Sequence, residues 1–122
     1  MTQPIVITLN GSTNVIAEKM PVEIDGSGYV KQYDGAGNII AVAKTTKTAT
    51  AGNIGGIVFG LETLPAAAAT YEPGAKLGFT TTGVVAYASG TVAGIVAESS
   101  QKIISTTYST TDLLEVFLDV KN

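Results

Sequence analysis

The sequence predicts an all-β fold, a sandwich or a barrel, and three observations carry that prediction. Apolar residues recur with a period of two along most of the chain. Clusters of Gly, Pro, Asn and Asp separate the alternating runs about every ten residues. The composition is rich in Thr, Val, Ala and Gly, with 45% hydrophobic and 14% charged residues, which suits a folded chain rather than a disordered one. A length of 122 residues fits one domain, and such a domain buries roughly two-thirds of its unfolded surface. Residues 1–10 are expected to be an N-terminal arm or first strand, and residues 11–122 a single β domain.

Ile5, Ile7 and Leu9 alternate with Val6 and Thr8, and Asn10-Gly11 is a hairpin-turn signal. Val15 to Glu18 is a short apolar run that Met20-Pro21 breaks, and Val22-Glu23-Ile24 resumes the alternation. Asp25-Gly26-Ser27-Gly28 is turn chemistry. Tyr29 to Tyr33 reads as a strand, Asp34-Gly35-Ala36-Gly37-Asn38 as a turn and Ile39 to Ala43 as its return, so Tyr29–Val42 is expected to be a hairpin. Lys44 to Asn53 is a polar loop or excursion, followed by a buried strand over Ile57–Leu61. Pro65 leads into Ala66–Ala69, which suits either a one-turn helix or an extended loop. Pro73-Gly74 turns into a strand over Lys76–Thr81, with others at Val84–Tyr87 and, after Ser89-Gly90, Val92–Ala97. Leu113–Val120 fits a helical face or a strand, with Ser109 and Asp112 placed for a capping box. Its length and β-branched content favour the strand. Gly56–Glu62 echoes Gly94–Glu98 too weakly to mark a duplication.

The missing residue types narrow the function. The chain has no histidine, cysteine, tryptophan or arginine, and its seven basic residues are all lysine. It therefore lacks the usual proton carrier near neutral pH, the most reactive nucleophile and the planar fork for phosphates. A net charge of −3 with scattered lysines excludes a nucleic-acid footprint. No window has the apolar length of a membrane span, and the N-terminus lacks a signal-peptide pattern, so a soluble, cytosol-made protein is expected.

The polar motifs read as structure. Asp25 and Asp34 sit on Gly-rich turns, and the Asp34–Asn38 segment falls short of a calcium loop. Glu62 and Glu98 read as solvent-facing strand ends, and Asn10-Gly11-Ser12 as a turn rather than a glycosylation site. No Ser-x-x-Lys, phosphate loop or dinucleotide fingerprint occurs. The expectation is no catalytic residue, no metal and no cofactor. Tyr29 and Tyr33, at even spacing, would share one strand face, suited to an interface or to a half-buried hairpin.

The order Pro73-Gly74-Ala75-Lys76-Leu77-Gly78-Phe79, Gly83-Val84-Val85, Val92–Ala97 and the C-terminal Val116-Phe117-Leu118 resembles the small capsid decoration, or cement, proteins of tailed bacteriophages. Met20-Pro21-Val22, Tyr29-Val30 and Ile39–Ala43 fit the same plan. The resemblance implies a small β-barrel or β-tulip-like domain of short strands with at most short helical turns. It implies a structural protein of the capsid exterior, made in the host cytoplasm, that clamps neighbouring major capsid subunits, often as a homotrimer. An N-terminal arm often contributes. Thr2–Leu9 is the segment expected to pair with a sheet edge of a sister chain or capsid subunit. The expected interface residues are Thr2, Gln3, Pro4, Ile5, Val6, Ile7, Tyr29 and Tyr33. The competing reading is an adhesin or fibre-type ligand-binding β domain on a particle surface. A groove with clustered aromatics would favour the adhesin, and flat apolar rims with a free sheet edge the cement protein.

Overall fold

The computed structural model describes residues 4–87 and 91–120. Their architecture is all-β, a closed five-stranded barrel with further strands attached, and no helix occurs among them. The barrel strands are β1 (Ile5–Gly11), β2 (Pro21–Ile24), β3 (Val30–Gln32), β4 (Ile39–Ala43) and β5 (Gly52–Leu64). They pair in the order β1-β3-β2-β4-β5, and β1 closes the ring against β5. Next come β6 (Ala69–Tyr71), β7 (Lys76–Phe79), β8 (Val85–Tyr87), β9 (Thr91–Val96), β10 (Lys102–Ile104) and β11 (Leu114–Asp119). Of these, β11, β9, β7 and β8 extend the sheet beyond β5, while β6 and β10 form a separate two-stranded ribbon.

The barrel interior is small. Leu9, Val22, Val30, Ala41, Ala43 and Ile54 fill it, with Ile16 inserted from the β1–β2 connection. A methyl group on Gly56 would stand 2.6 Å from Leu9 Cδ1 and 2.8 Å from Ala41 Cβ, so the wall has no room for one. The opposite face of the same wall is buried too. Val42 and Ile57 point into a larger core with Leu64, Leu77, Phe79, Val96, Leu114, Val116 and Leu118. β4 and β5 thus separate two apolar layers, which explains why their sequences read as near-continuous apolar runs.

β5 is thirteen residues long because it serves both layers. Its first part pairs with β1, from Gly52↔Gly11 to Phe59↔Ile5, and its second part with β11, from Phe59↔Asp119 to Leu64↔Leu114. β11 shows strict alternation, burying Leu114, Val116 and Leu118. The strand reading of the C-terminus therefore holds. The Ser109 hydroxyl accepts from the Asp112 amide at 2.8 Å, a cap-like turn with a strand after it.

Several local expectations are corrected. Asn10-Gly11 makes no turn, since both residues remain paired, with Asn53 and Gly52. Tyr29–Val42 is not a hairpin, because β2 lies between β3 and β4. The tight turn is the earlier one. The Asp25 carboxylate accepts from the amides of Ser27 (2.8 Å) and Tyr29 (3.1 Å), folding β3 back on β2. The Asp34–Asn38 segment then carries the chain past β2 to its far edge. Lys44–Asn53 is only partly loop: Lys47 bridges Ile16, and β5 already begins at Gly52. The alanine run is extended, with Ala66 bridging Val85 in parallel and Ala69 opening β6. The turn expected at Ser89-Gly90 lies outside the described residues.

Candidate functional site

The described residues expected at an interface lie in two places, Pro4–Ile7 at the start of β1 and Tyr29 and Tyr33 on either side of β3. Thr2 and Gln3 lie outside the described residues. Pro4, Ile5, Val6 and Ile7 are exposed, yet Ile5–Gly11 is hydrogen-bonded along its length to β5 of its own chain. The edge expected in another molecule is thus supplied by the same chain, since β5 would otherwise leave the barrel open. Tyr29 and Tyr33 do not share a strand face. β3 spans only Val30–Gln32, Tyr29 is exposed, and Tyr33 packs half-buried against the larger core.

An apolar outer sheet face does form. Register aligns Lys76, Ile95, Phe117 and Leu61 in one row across β7, β9, β11 and β5. Ile95 and Leu61 are exposed, and Val92 joins them from the same strand as Ile95. Behind the row, Phe59 meets Phe117 edge-to-face with ring centroids 5.2 Å apart, and Ile5 pairs with Phe59. A shallow hollow of about 440 Å³ opens between Val92, Ile95 and Phe117, with Lys76 and Asp119 beside it. Gly94, at φ +149°, lets β9 approach β11 here. A Cβ would fall 2.0 Å from the Phe117 carbonyl oxygen. Gly60, at φ +128°, lies opposite the same residue, Leu118, on the other flank of β11. The weak sequence echo between the two glycine segments thus marks the two strands that sandwich β11.

A second concavity, of about 290 Å³, lies where the barrel loops meet the β10–β11 loop. Ala17–Met20 and Thr46 line it from one side, and Pro65, Leu113 and Tyr108–Thr110 from the other. Lys19 (φ 69°) and Tyr108 (φ 68°) are the only non-glycine residues with positive φ among the described residues, and both line this groove. Such a conformation costs about 1–3 kcal/mol per residue. Tyr108 as a residue is 47% exposed.

Two buried charges escaped the sequence reading. Glu23 is 2% exposed and its Oε1 lies 3.2 Å from Lys31 Nζ. The sequence reads it only as part of the alternating run Val22-Glu23-Ile24. Val22 faces Ala41 inside the barrel, while Glu23 faces Ile39 and Lys31 on the other side of the strand, where the loop at Gly37 covers it, and sequence period carries no signal of that cover. Lys31 also meets Asp34 at 3.0 Å. The hydrogen bond to Lys31 and then that from the Ala36 amide hold Asp34 below its ordinary value, while Asp34 and then Glu23 raise Lys31. Lys47 is 7% exposed, and its ammonium donates to the carbonyls of Asn14 (2.7 Å) and Thr48 (2.9 Å), tying the two loops beside the barrel.

The remaining polar groups are structural. Tyr71 stacks on Tyr87 at 4.8 Å and donates to the Ala67 carbonyl, and burial pushes its phenol up from the usual value. Glu98 is not a free strand end, since its carboxylate accepts from the Glu115 amide at 2.7 Å. No group of three or more acidic, His or Cys residues suited to a metal occurs among the described residues. No family model matches the chain, and neither the curated proteins nor the solved structures contain a match.

Proposed function

We propose that this chain is a structural protein of a virion exterior, a capsid decoration protein that binds an assembled shell and clamps neighbouring major capsid subunits. The observation that carries the reading is the outer sheet face built on Leu61, Phe117, Ile95 and Val92. A contiguous apolar surface marks a contact site rather than a solvated one. The sequence resemblance to phage cement proteins supports the same reading.

The mechanism needs no chemistry. A protein that binds only the assembled lattice stabilises it by mass action, and spanning several subunits adds avidity. Phe117 and Phe59 serve as the rigid aromatic anchors, with Lys76 at the polar margin. Association into homo-oligomers, a trimer above all, belongs to this reading, because the low charge of the chain suits surface covered by sister copies. Sedimentation equilibrium at micromolar concentration reads that state directly.

The test is co-sedimentation of the chain with shells purified from the particles that carry it. The wild type is expected to pellet at a fixed ratio to the major capsid subunit. Phe117→Ser, with folding checked by its melt, is expected to weaken binding about tenfold or more. Shells that leave the wild type in the supernatant, or bind F117S equally well, refute the proposal.

A further inference from the structure

The groove at the seam between the barrel loops and the β10–β11 loop has the character of a small-ligand site, and the geometry points to recognition of a neutral sugar ring there. The inference stands on a different surface from the shell-binding face, with no lining residue in common. The walls are fixed before any ligand arrives. On one side the Glu18 amide donates to Thr46 Oγ1 at 3.2 Å and the Lys19 amide to the Ala43 carbonyl at 2.8 Å. On the other, Thr107 Oγ1 accepts from the Ala68 amide at 2.8 Å, and Ser109 Oγ accepts from Asp112. Each wall carries one left-handed non-glycine residue, Lys19 and Tyr108. Strain of that kind gathers at ligand clamps.

The lining chemistry selects the ligand class. Ala17, Met20, Pro65 and Leu113 supply apolar surface, and Tyr108 adds a partly exposed ring. Glu18, Thr46, Ser109 and Thr110 are polar residues of the same lining. A sugar ring has the matching duality, with C–H faces that stack on an aromatic ring and hydroxyls that donate to a carboxylate. An anion is poorly served. Lys19 is the one cation in the lining, and its ammonium is engaged by the carbonyl (2.9 Å) and hydroxyl (3.1 Å) of Thr63. A wholly apolar ligand would take the Glu18 carboxylate out of water without giving it a partner. A volume of about 290 Å³ lies at the small end of ligand sites and suits one or two rings.

The experiment is a titration of the full, isotopically labelled chain with methyl glucoside, methyl galactoside, methyl mannoside, N-acetylglucosamine and N-acetylneuraminate, followed by amide NMR shifts. At least one neutral sugar is expected to give saturable shifts confined to residues 17–20, 46 and 108–113, with a Kd of about 1 mM or tighter. Tyr108→Ala is expected to weaken that binding about tenfold, and Tyr108→Phe to preserve it, because the ring rather than the hydroxyl makes the contact. If Tyr108→Ala melts early, Glu18→Gln decides in its place, with a similar loss expected. The inference fails if no neutral sugar gives saturable shifts in those residues, or if only the anionic N-acetylneuraminate does. It fails equally if the folded variants bind as tightly as the wild type.

Discussion

Glu23 shows how one side chain fixes a loop. Its Oε1 is paired with Lys31, while its buried Oε2 has no hydrogen-bond partner among the described residues. A Cβ on Gly37 would fall 2.1 Å from that Oε2, so the loop backbone closes directly over the carboxylate. Gly37→Ala is therefore expected to destabilise the fold by about 1–3 kcal/mol, read as a lower denaturation midpoint at unchanged slope. Removing Lys31 leaves a buried charge without its cation, whereas removing Asp34 does not. Lys31→Met should thus lower the melting temperature more than Asp34→Asn, and equal losses would deny Glu23 its dependence on Lys31. The pH dependence follows from the same contacts. Asp34 is held below its ordinary 3.8, so its contribution is complete above that pH and is lost as pH falls through the folded value. Lys31 is raised above 10.5, so its contribution is complete below that pH and fades as pH rises through its folded value. Asp34→Asn is expected to flatten the acid limb of the melting curve, and an unchanged limb would show that other carboxylates set it.

Among the elements, β1 carries the sharpest consequence. Its residues from Ile5 onward occupy one edge of β5, and Leu9 lies in the barrel interior opposite Ile54. Deleting residues 2–8 would remove four of the seven residues of β1 and open the barrel. The expected result is loss of the cooperative melt, seen by circular dichroism. A truncated chain that melts like the wild type would show that β5 does not need this edge. The sequence made β1 visible as a strand, because alternation is a local signal. It could not show the partner, since pairing between residues as far apart as Ile5 and Phe59 depends on which edge remains free. The same limit hid the insertion of β2 between β3 and β4. Turn chemistry at Asp34–Asn38 describes a local bend, and says nothing of whether the chain passes another strand before returning. β7, β8 and β9 were readable because turn residues such as Pro73-Gly74, Thr82-Gly83 and Ser89-Gly90 bound them, and β11 because its length and alternation favour a strand over a helical face. The apolar outer face needed the register of three strands to align Leu61, Phe117 and Ile95, so sequence alone held its residues but not their meeting. The groove at Lys19 and Tyr108 had no sequence signal, because neither residue type favours the left-handed conformation.

At the scale of the whole molecule, the two apolar layers are not independent. β4 and β5 contribute to both, with Ala41 and Ile54 inside the barrel and Val42 and Ile57 in the larger core. Unfolding the barrel would strip Ile39, Val42 and Ile57 from that core. Unfolding the outer sheet would expose the same residues on the barrel wall. Neither layer can melt while the other keeps its buried surface, so a single transition is expected even though the chain holds two cores. At about 0.7 kcal/mol per residue near 60 °C, 122 residues correspond to an unfolding enthalpy of about 85 kcal/mol. Calorimetry should return that value both from the area of the peak and from its van't Hoff width. Tyr71 and Tyr87 stack in the outer layer, so near-ultraviolet dichroism carries a signal from that layer. Far-ultraviolet dichroism follows all the strands together. Coincident curves are the expected outcome. A van't Hoff enthalpy near half the calorimetric one, with the tyrosine signal lost apart from the strand signal, would mean that β4 and β5 do not couple the layers.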